Sequence, residues 1–117
     1  MKVKTNTINK CSLCGFCKAN CPSFLTSLKE KYSPRGRAIL IRNDKMDISF
    51  YSCSLCNACI AECPALVDLD LEKLRERLVE AGIETEANKQ MIENIRKFGN
   101  PFGVVEKGKL PKKLYCC

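Results

Sequence analysis

The chain has 117 residues, of which 45% are hydrophobic and 28% charged, with a formal net charge of +7. This length and composition are those of one soluble globular domain, which is too small to bury a large core. The longest purely aliphatic run, residues 38–41, is too short to insert into a membrane, and residues 1–10 lack the apolar core of a signal peptide, so we expect a cytoplasmic protein.

The first motif follows a polar start. Residues 11–22 read Cys-Ser-Leu-Cys-Gly-Phe-Cys-Lys-Ala-Asn-Cys-Pro, which is C-x2-C-x2-C-x3-C-P. This spacing is typical of [4Fe-4S] proteins, in which three close cysteines hold one cube and the fourth usually ligates the other cube. Pro22 suits the first position of a helix, so Cys21 is predicted at a helix start, where partial positive charge favours an anionic cluster.

Helices are predicted between this motif and residue 44. Residues 22–30 form a short helix whose apolar side chains, expected to shield the clusters, are Phe24, Leu25 and Leu28. Ser33 is the expected N-cap of a second helix with Pro34 at its first position. That helix is predicted to end at residues 43–44.

Residues 53–64 repeat the first motif at an offset of 42, with eight of twelve positions identical. Two copies predict two [4Fe-4S] clusters with crossed ligation. One cluster takes Cys11, Cys14, Cys17 and Cys63. The other takes Cys53, Cys56, Cys59 and Cys21. Asn57 replaces Gly15, and both residue types tolerate a left-handed backbone. Pro64 predicts a second helix start just after Cys63.

Three other uses of the eight cysteines are weaker. A disulfide framework needs an oxidising compartment, for which the chain start gives no signal. Structural zinc usually takes separated cysteine or histidine pairs, whereas here a third cysteine follows at once and the chain has no histidine. Thiols that merely fill a core would not repeat with such regularity.

Two further helices are predicted after the second motif. The first runs from residue 68 to Gly82 with its inward stripe at Leu71, Leu74 and Leu78. The second runs from residue 85 to 98 with four side chains inward, namely Ala87, Met91, Ile92 and Ile95. Residues 99–103 (Gly-Asn-Pro-Phe-Gly) are a loop. The predicted domain therefore covers residues 1–103, and residues 104–117 form an extended basic tail.

The paired cysteine motifs, Ser-Pro-Arg-Gly-Arg at 33–37 and Gly-Asn-Pro-Phe-Gly at 99–103 together resemble a known family. It is the alpha-helical ferredoxin domain of heterodisulfide reductase subunits C and D and of the iron-sulfur subunits of glycolate, lactate and anaerobic glycerol-3-phosphate dehydrogenases. The resemblance covers roughly residues 8–105. It implies an all-α fold and electron transfer between two clusters. Larger members carry a cysteine-rich domain, so the resemblance implies either that a separate chain carries it here or that this chain is a split or shortened gene product.

The function expected from this pattern is a non-catalytic electron-transfer subunit of an oxidoreductase. Its expected partners are a flavoprotein or hydrogenase-type electron donor and a catalytic subunit with a cysteine-rich domain. Six apolar side chains are expected to form a low-dielectric sheath: Leu13, Phe16, Phe24, Leu55, Ile60 and Leu66. A structural or oxygen-sensing iron-sulfur protein is the alternative, and catalysis by Cys116 or Cys117 is a weaker one.

Basic residues concentrate in two places. Arg35, Arg37 and Arg42 lie between the motifs, and four lysines lie in the tail, at Lys107, Lys109, Lys112 and Lys113. A nucleic-acid interface would need a more basic domain with interleaved aromatic residues, so no nucleic-acid partner is expected. Both basic groups are instead predicted to dock an acidic partner subunit.

Overall fold

The computed structural model describes residues 7–112, which form helices and turns and contain no β-strand. The α-helices are α1 (Pro22–Ser27), α2 (Pro34–Arg42), α3 (Ala58–Ala61), α4 (Leu71–Glu80) and α5 (Glu86–Phe98). Short 3₁₀ turns lie at Ile8–Lys10, Phe16–Lys18, Glu30–Tyr32 and Ile48–Ser52. The all-α prediction is confirmed. Across 7–112, no helix combines the length and apolar character needed to span a membrane.

The chain forms two compact units, one ending at Gly82 and the other beginning at Ile83. Helix α2 lies centrally in the first unit. Its N-cap is Ser33, whose hydroxyl accepts a hydrogen bond of 2.9 Å from the Gly36 amide, and its C-cap is Asn43, so both predicted ends are confirmed. A side chain at Gly36 would lie 1.9 Å from the carbonyl oxygen of Glu30, so glycine is required for this close approach.

The core of the first unit is built around α2 and α4. Helix α4 contributes the predicted stripe of Leu71, Leu74 and Leu78, and all three side chains are buried. They cluster with six other buried side chains: Ile8, Ala38, Ile41, Phe50, Val67 and Leu69. Cysteines 11, 53 and 63 are packed against this cluster, so the core fixes part of each cysteine motif in place.

Helix α1 is shorter than predicted. It ends at Ser27 because Leu28 takes a left-handed backbone with φ of 54°, which no helix can continue. Leu25 and Leu28 are 55% and 75% exposed. The prediction that these two side chains shield the clusters is therefore wrong.

No helix begins at Pro64. Residues 64–65 form a turn, and residues 66–70 are neither helix nor strand, with Leu66 and Asp70 both left-handed at φ of 49°. Val67 and Leu69 are buried while Leu66 and Asp68 are exposed, which is the two-residue alternation of an extended chain. The Thr7 hydroxyl donates to the Asp68 carbonyl and accepts from its amide. The prediction of a helix start at Pro64 is therefore wrong.

The second unit contains α5 and the loop that follows it. Thr85 caps α5 by accepting from the Asn88 amide, and Gly99 ends it with φ of 71°. Asn94, not Ile95, is the buried side chain, and Ile95 is 48% exposed, so the inward prediction is wrong for Ile95. The Asn94 amide group donates to the Pro101 carbonyl at 2.9 Å and so fixes the 99–103 loop.

Residues 104–112 contain turns and no regular helix. Within this stretch Lys109 forms an ion pair with Glu106. The remainder of the predicted tail, including Cys116 and Cys117, lies outside the described residues. The predicted domain boundary at residue 103 stays a prediction.

Candidate metal centre

Both cysteine loops turn through matching left-handed residues. Gly15 and its counterpart Asn57 have φ of 86° and 60°, as predicted. Leu13 and its counterpart Leu55 are also left-handed, with φ of 60° and 56°, although leucine rarely adopts this conformation. Each costs about 1–2 kcal/mol, and such strain persists where the surrounding structure demands it. The repetition of this strain at equivalent positions marks both loops as sites shaped for a ligand.

The eight motif cysteines are free thiols that surround two cavities. One cavity, called site A, has in its wall Cys11, Cys14, Cys17 and Cys63. The other, called site B, has in its wall Cys21, Cys53, Cys56 and Cys59. Their volumes are about 50 Å³ and 190 Å³, and both exceed the about 10–15 Å³ that one water molecule needs. The last cysteine of each motif therefore lies in the site formed by the other motif.

The two sites adjoin through equivalent positions of the repeat. Cys59 lines both cavities. The Asn20 side chain donates a hydrogen bond of 2.9 Å to the Glu62 carboxylate, and these two residues are 42 apart, the offset of the repeat. The 3₁₀ turn of the first loop also contacts α3 of the second. Contact between equivalent positions is what an approximate twofold relation between the two motifs produces.

Cys17 and Cys59, the third cysteine of each motif and here called the inner thiols, are held near other thiols at an electrostatic cost. Burial, and after it the nearby charges of Cys53, Cys17 and Cys21, raise the pKa of Cys59 to about 11. Burial likewise raises the pKa of Cys17, to which Cys11, Cys14 and Cys63 add. Bound iron removes this cost, because a metal cation stabilises the thiolate form.

Cys14 and Cys56, the second cysteine of each motif and here called the outer thiols, have lowered pKa values instead. A hydrogen bond from the Phe16 backbone and another from the Ser12 hydroxyl lower the pKa of Cys14. The Ser54 hydroxyl, then the Ala58 backbone, lower the pKa of Cys56. Both thiols are exposed. Each site therefore presents one exposed thiol whose surroundings favour the charged, metal-binding form.

Two arginines fix the first cysteine of each motif through its backbone. Arg42 donates to the Cys11 carbonyl at 3.2 Å. Arg75, on α4, donates to the carbonyls of Phe50 and Tyr51 at 3.0 and 3.1 Å and also to that of Cys53. Cys11 and Cys53 are equivalent in the repeat. Backbone amides add contacts to sulfur, from Leu55 to Cys53 and from Val67 to Cys63.

Arg37 lies inside the first unit and not on its surface. It is 1% exposed and lines site B. Its Nη2 donates to the hydroxyls of Ser23 and Ser52 at 3.0 and 3.1 Å, and its Nε has no hydrogen-bond partner in the described chain. The prediction that Arg37 docks a partner is therefore wrong. The three- and four-residue spacing of a helix could have predicted this burial, because Arg37 shares the buried face of α2 with residues 34, 38 and 41.

The predicted apolar sheath is incomplete. Phe16 and Leu55 are exposed to solvent but lie in the walls of site A and site B, whereas Leu66 is 68% exposed and lies in neither wall, so the prediction is wrong for Leu66. Leu13 packs against the core, as predicted. Phe24 and Ile60 are half-buried. The backbone is left-handed at Leu55 and Leu66, so the chain turns sharply at both residues, and an apolar side chain at such a turn has little to pack against.

The donor set fits iron-sulfur chemistry. All the predicted ligands are sulfur atoms, the type that iron-sulfur clusters use. Within 7–112, no three histidine, cysteine or acidic side chains converge closely enough to hold one metal ion. A [4Fe-4S] cube needs no such convergence, because each of its four thiolates binds a different iron. The all-α fold and the cysteine-lined cavities define the class of iron-sulfur proteins, and the two cavities are consistent with two clusters.

Comparison with known protein families supports this class. The model of the 4Fe-4S dicluster domain matches residues 7–67, slightly more than half of the chain. The chain belongs to this family, which implies [4Fe-4S] clusters, and the word dicluster is consistent with two of them. Such clusters indicate electron transfer. Comparisons with curated proteins and with solved structures gave no significant match.

Proposed function

We propose that this chain is an electron-transfer subunit that relays single electrons through two [4Fe-4S] clusters within an oxidoreductase complex. One cluster would be held at site A and the other at site B. The observation that carries the proposal is that the two cavities adjoin, with Cys59 in the wall of both. The clusters, when bound, supply reversible one-electron chemistry, and no acid, base or nucleophile is required of the protein.

The protein residues would hold the clusters and control access to them. The amides of Leu55 and Val67 lie 3.4 and 3.5 Å from cysteine sulfur atoms and would stabilise negative charge on those ligands. Cys14 and Cys56 are exposed, so each cluster would have one edge close to the surface. An electron could then reach one site from a donor and leave the other toward an acceptor.

The proposed complex is similar to heterodisulfide reductase or to flavin-linked 2-hydroxyacid and glycerol-3-phosphate dehydrogenases, and the proposed compartment is the cytoplasm. The support is the likeness of residues 33–37 and 99–103 to that family. Its donor would be a flavoprotein or hydrogenase-type subunit, and its acceptor a catalytic subunit with a cysteine-rich domain. Anaerobic co-purification from the native host, followed by identification of the bound chains, tests this part of the proposal.

The relay itself is tested with the reconstituted protein alone. Prepared anaerobically, it should contain about eight iron and eight sulfide per chain, as two cubes require. It should also accept and return two electrons in repeated redox cycles without losing iron. Loss of iron on each cycle would favour the oxygen-sensing alternative, and a content of four iron in a correctly folded protein would refute the two-cluster proposal.

A further inference from the structure

The two sites differ in the positive charge near them. At site B the cation is Arg37, which is 1% exposed and contacts only neutral hydroxyl groups through its Nη2. Among residues 7–112 it forms no ion pair with a carboxylate. Three carboxylates also lie in the wall of site B, but Asp68 and Glu72 are exposed to water and Asp70 forms an ion pair with Lys73. Because Arg37 is buried, water screens its charge less than it screens these carboxylates.

At site A the cation in the cavity wall is Arg35, in a different setting. Its Nη1 would lie 2.9 Å from a side chain built on Gly15, so the guanidinium group lies against the first cysteine loop. However, Arg35 forms an ion pair of 2.7 Å with Glu30, and its side chain is 32% exposed. The carboxylate and the solvent offset most of its field at the sulfur atoms.

We propose that Arg37 makes site B the preferred location of the transferred electron, so that electrons flow from the cluster at site A to the cluster at site B. This inference rests on the proposed function. In the step, the first cluster loses one electron and the second gains one, and no bond or proton is involved. A flavoprotein or hydrogenase-type donor would then reduce site A again.

The physical basis is the change in charge on reduction. A [4Fe-4S] cluster with four thiolates carries a charge of 2− when oxidised and becomes more negative by one charge when reduced. A nearby buried cation stabilises the reduced form more than the oxidised form, and the effect is larger where water is excluded. The difference between the arginines therefore raises the potential of site B relative to site A.

The test is a redox titration of the complete protein, followed by electron paramagnetic resonance. With dithionite as reductant, the wild type should show two separate midpoint potentials. Arg37→Gln should weaken reduction of the higher-potential cluster about tenfold, a shift of about 59 mV for one electron, and should leave the other cluster nearly unchanged. Cys56→Ser, which alters a predicted ligand of site B, would assign that cluster through its changed spectrum.

Two further variants separate charge from structure. Arg37→Lys keeps the positive charge and should keep most of the separation between the two midpoints, even if the serine contacts change. Arg96→Gln removes one exposed charge from α5 and should move neither midpoint. The proposal would be overturned if the higher midpoint potential were the same in the Lys and Gln variants. It would also be overturned if both midpoint potentials of the Gln variant matched those of the wild type.

These outcomes remain distinct from failure of the relay itself. If the wild type holds two reversible clusters while Arg37→Gln leaves both potentials unchanged, the relay stands and the role of Arg37 is refuted. If the wild type holds no reversible clusters, the proposed relay function is refuted, and the role of Arg37 is refuted with it. If Arg37→Gln cannot assemble clusters, the Lys variant decides: loss of the separation between its midpoints refutes the proposal.

Discussion

Single residues decide which motif supplies each site. Cys21 lies in the wall of site B and Cys63 in that of site A, so each has left its own motif. This placement is the one that the predicted crossed ligation requires, an arrangement common in two-cluster ferredoxins. The placement follows from the course of the chain, because each loop directs its first three cysteines toward one cavity and its fourth cysteine toward the other.

We predict that Cys63→Ser damages the cluster of the first motif, and that Cys21→Ser damages the cluster of the second. Each change removes one of four thiolates, so the affected cluster should lose about one iron or disappear while the other keeps its spectrum. Mössbauer and electron paramagnetic resonance spectra of each variant measure this. If each variant instead lost the cluster of its own motif, ligation would be uncrossed.

Glu30 forms ion pairs with two cations beside the first loop. Its carboxylate accepts from Arg35 at 2.7 Å and from Lys18 at 2.9 Å, and the Ser33 hydroxyl also donates to it. The hydrogen bond from Arg35 is the main cause that lowers the pKa of Glu30 to about 2 from its ordinary 4.5. A depressed pKa means that the ionised group stabilises the folded chain above pH 4.5, and that this contribution is lost as pH falls toward 2.

We therefore predict that Glu30→Gln speeds acid bleaching of the clusters at pH 5 and above, and that the difference from wild type shrinks below pH 4.5. The effect should be modest, because the Glu30 side chain is 40% exposed. The measurement is the ratio of bleaching rates of the two proteins over this range. Both carry the same acid-labile clusters, so the ratio isolates Glu30. A ratio independent of pH would contradict the role assigned to its charge.

At the scale of elements, the start of α2 connects the core to both sites. Ser33 is fully buried, caps α2 and donates to Glu30. The same helix carries Arg37 toward site B and Arg42 toward the first motif. A change in how α2 begins would therefore displace groups at both sites.

We predict that Ser33→Ala destabilises the chain by about 1 kcal/mol, the usual cost of losing an N-cap, and lowers the yield of assembled clusters. The midpoint of anaerobic urea denaturation, followed by circular dichroism, measures the first effect, and iron content the second. Thr85→Ala is the matched control, because Thr85 caps α5 in the second unit. It should cost a similar free energy locally and leave the iron content unchanged. Equal iron loss in both variants would refute the link between α2 and the sites.

Much of this architecture could be predicted from local chemistry. The cap at Ser33, the stripe of α4 and the paired left-handed positions Gly15 and Asn57 all follow from known residue preferences. The left-handed leucines 13 and 55 could not be predicted, since leucine disfavours that conformation and only the surrounding structure imposes it. The prediction of a helix start at Pro64 failed for a related reason. Burial of both Val67 and Leu69 requires a non-helical chain, and this packing outweighs the preference of one proline for a helix start.

For the molecule as a whole, stability and cofactor content are linked. The first unit has a small apolar core, a buried Arg37 that forms no ion pair within residues 7–112, and two thiols, Cys17 and Cys59, with raised pKa. All of these are costs that bound clusters would offset. The free energy of cluster binding should therefore supply a large part of the folding free energy.

We predict that removing iron with a chelator under anaerobic conditions abolishes most of the helical signal in circular dichroism, and that the signal returns on reconstitution. Helix α5 offers an internal comparison, because it lies in the second unit and no predicted ligand belongs to that unit. Amide hydrogen exchange should therefore show earlier loss of protection in α2 than in α5. A native-like spectrum of the iron-free protein would contradict the proposed dependence.

Because Cys21 and Cys63 each lie in the site of the other motif, bound clusters would hold the two halves of the first unit together even if the backbone between them were cut. Lys45 is exposed in the connection between α2 and the second motif, so trypsin has a target between the two halves of the first unit. Cleavage there would leave each fragment with three ligands for one cluster and one for the other. The fragments should then migrate together on a native gel while iron is present and separate when it is removed, since the iron-sulfur bonds would replace the lost peptide bond as the covalent connection between them.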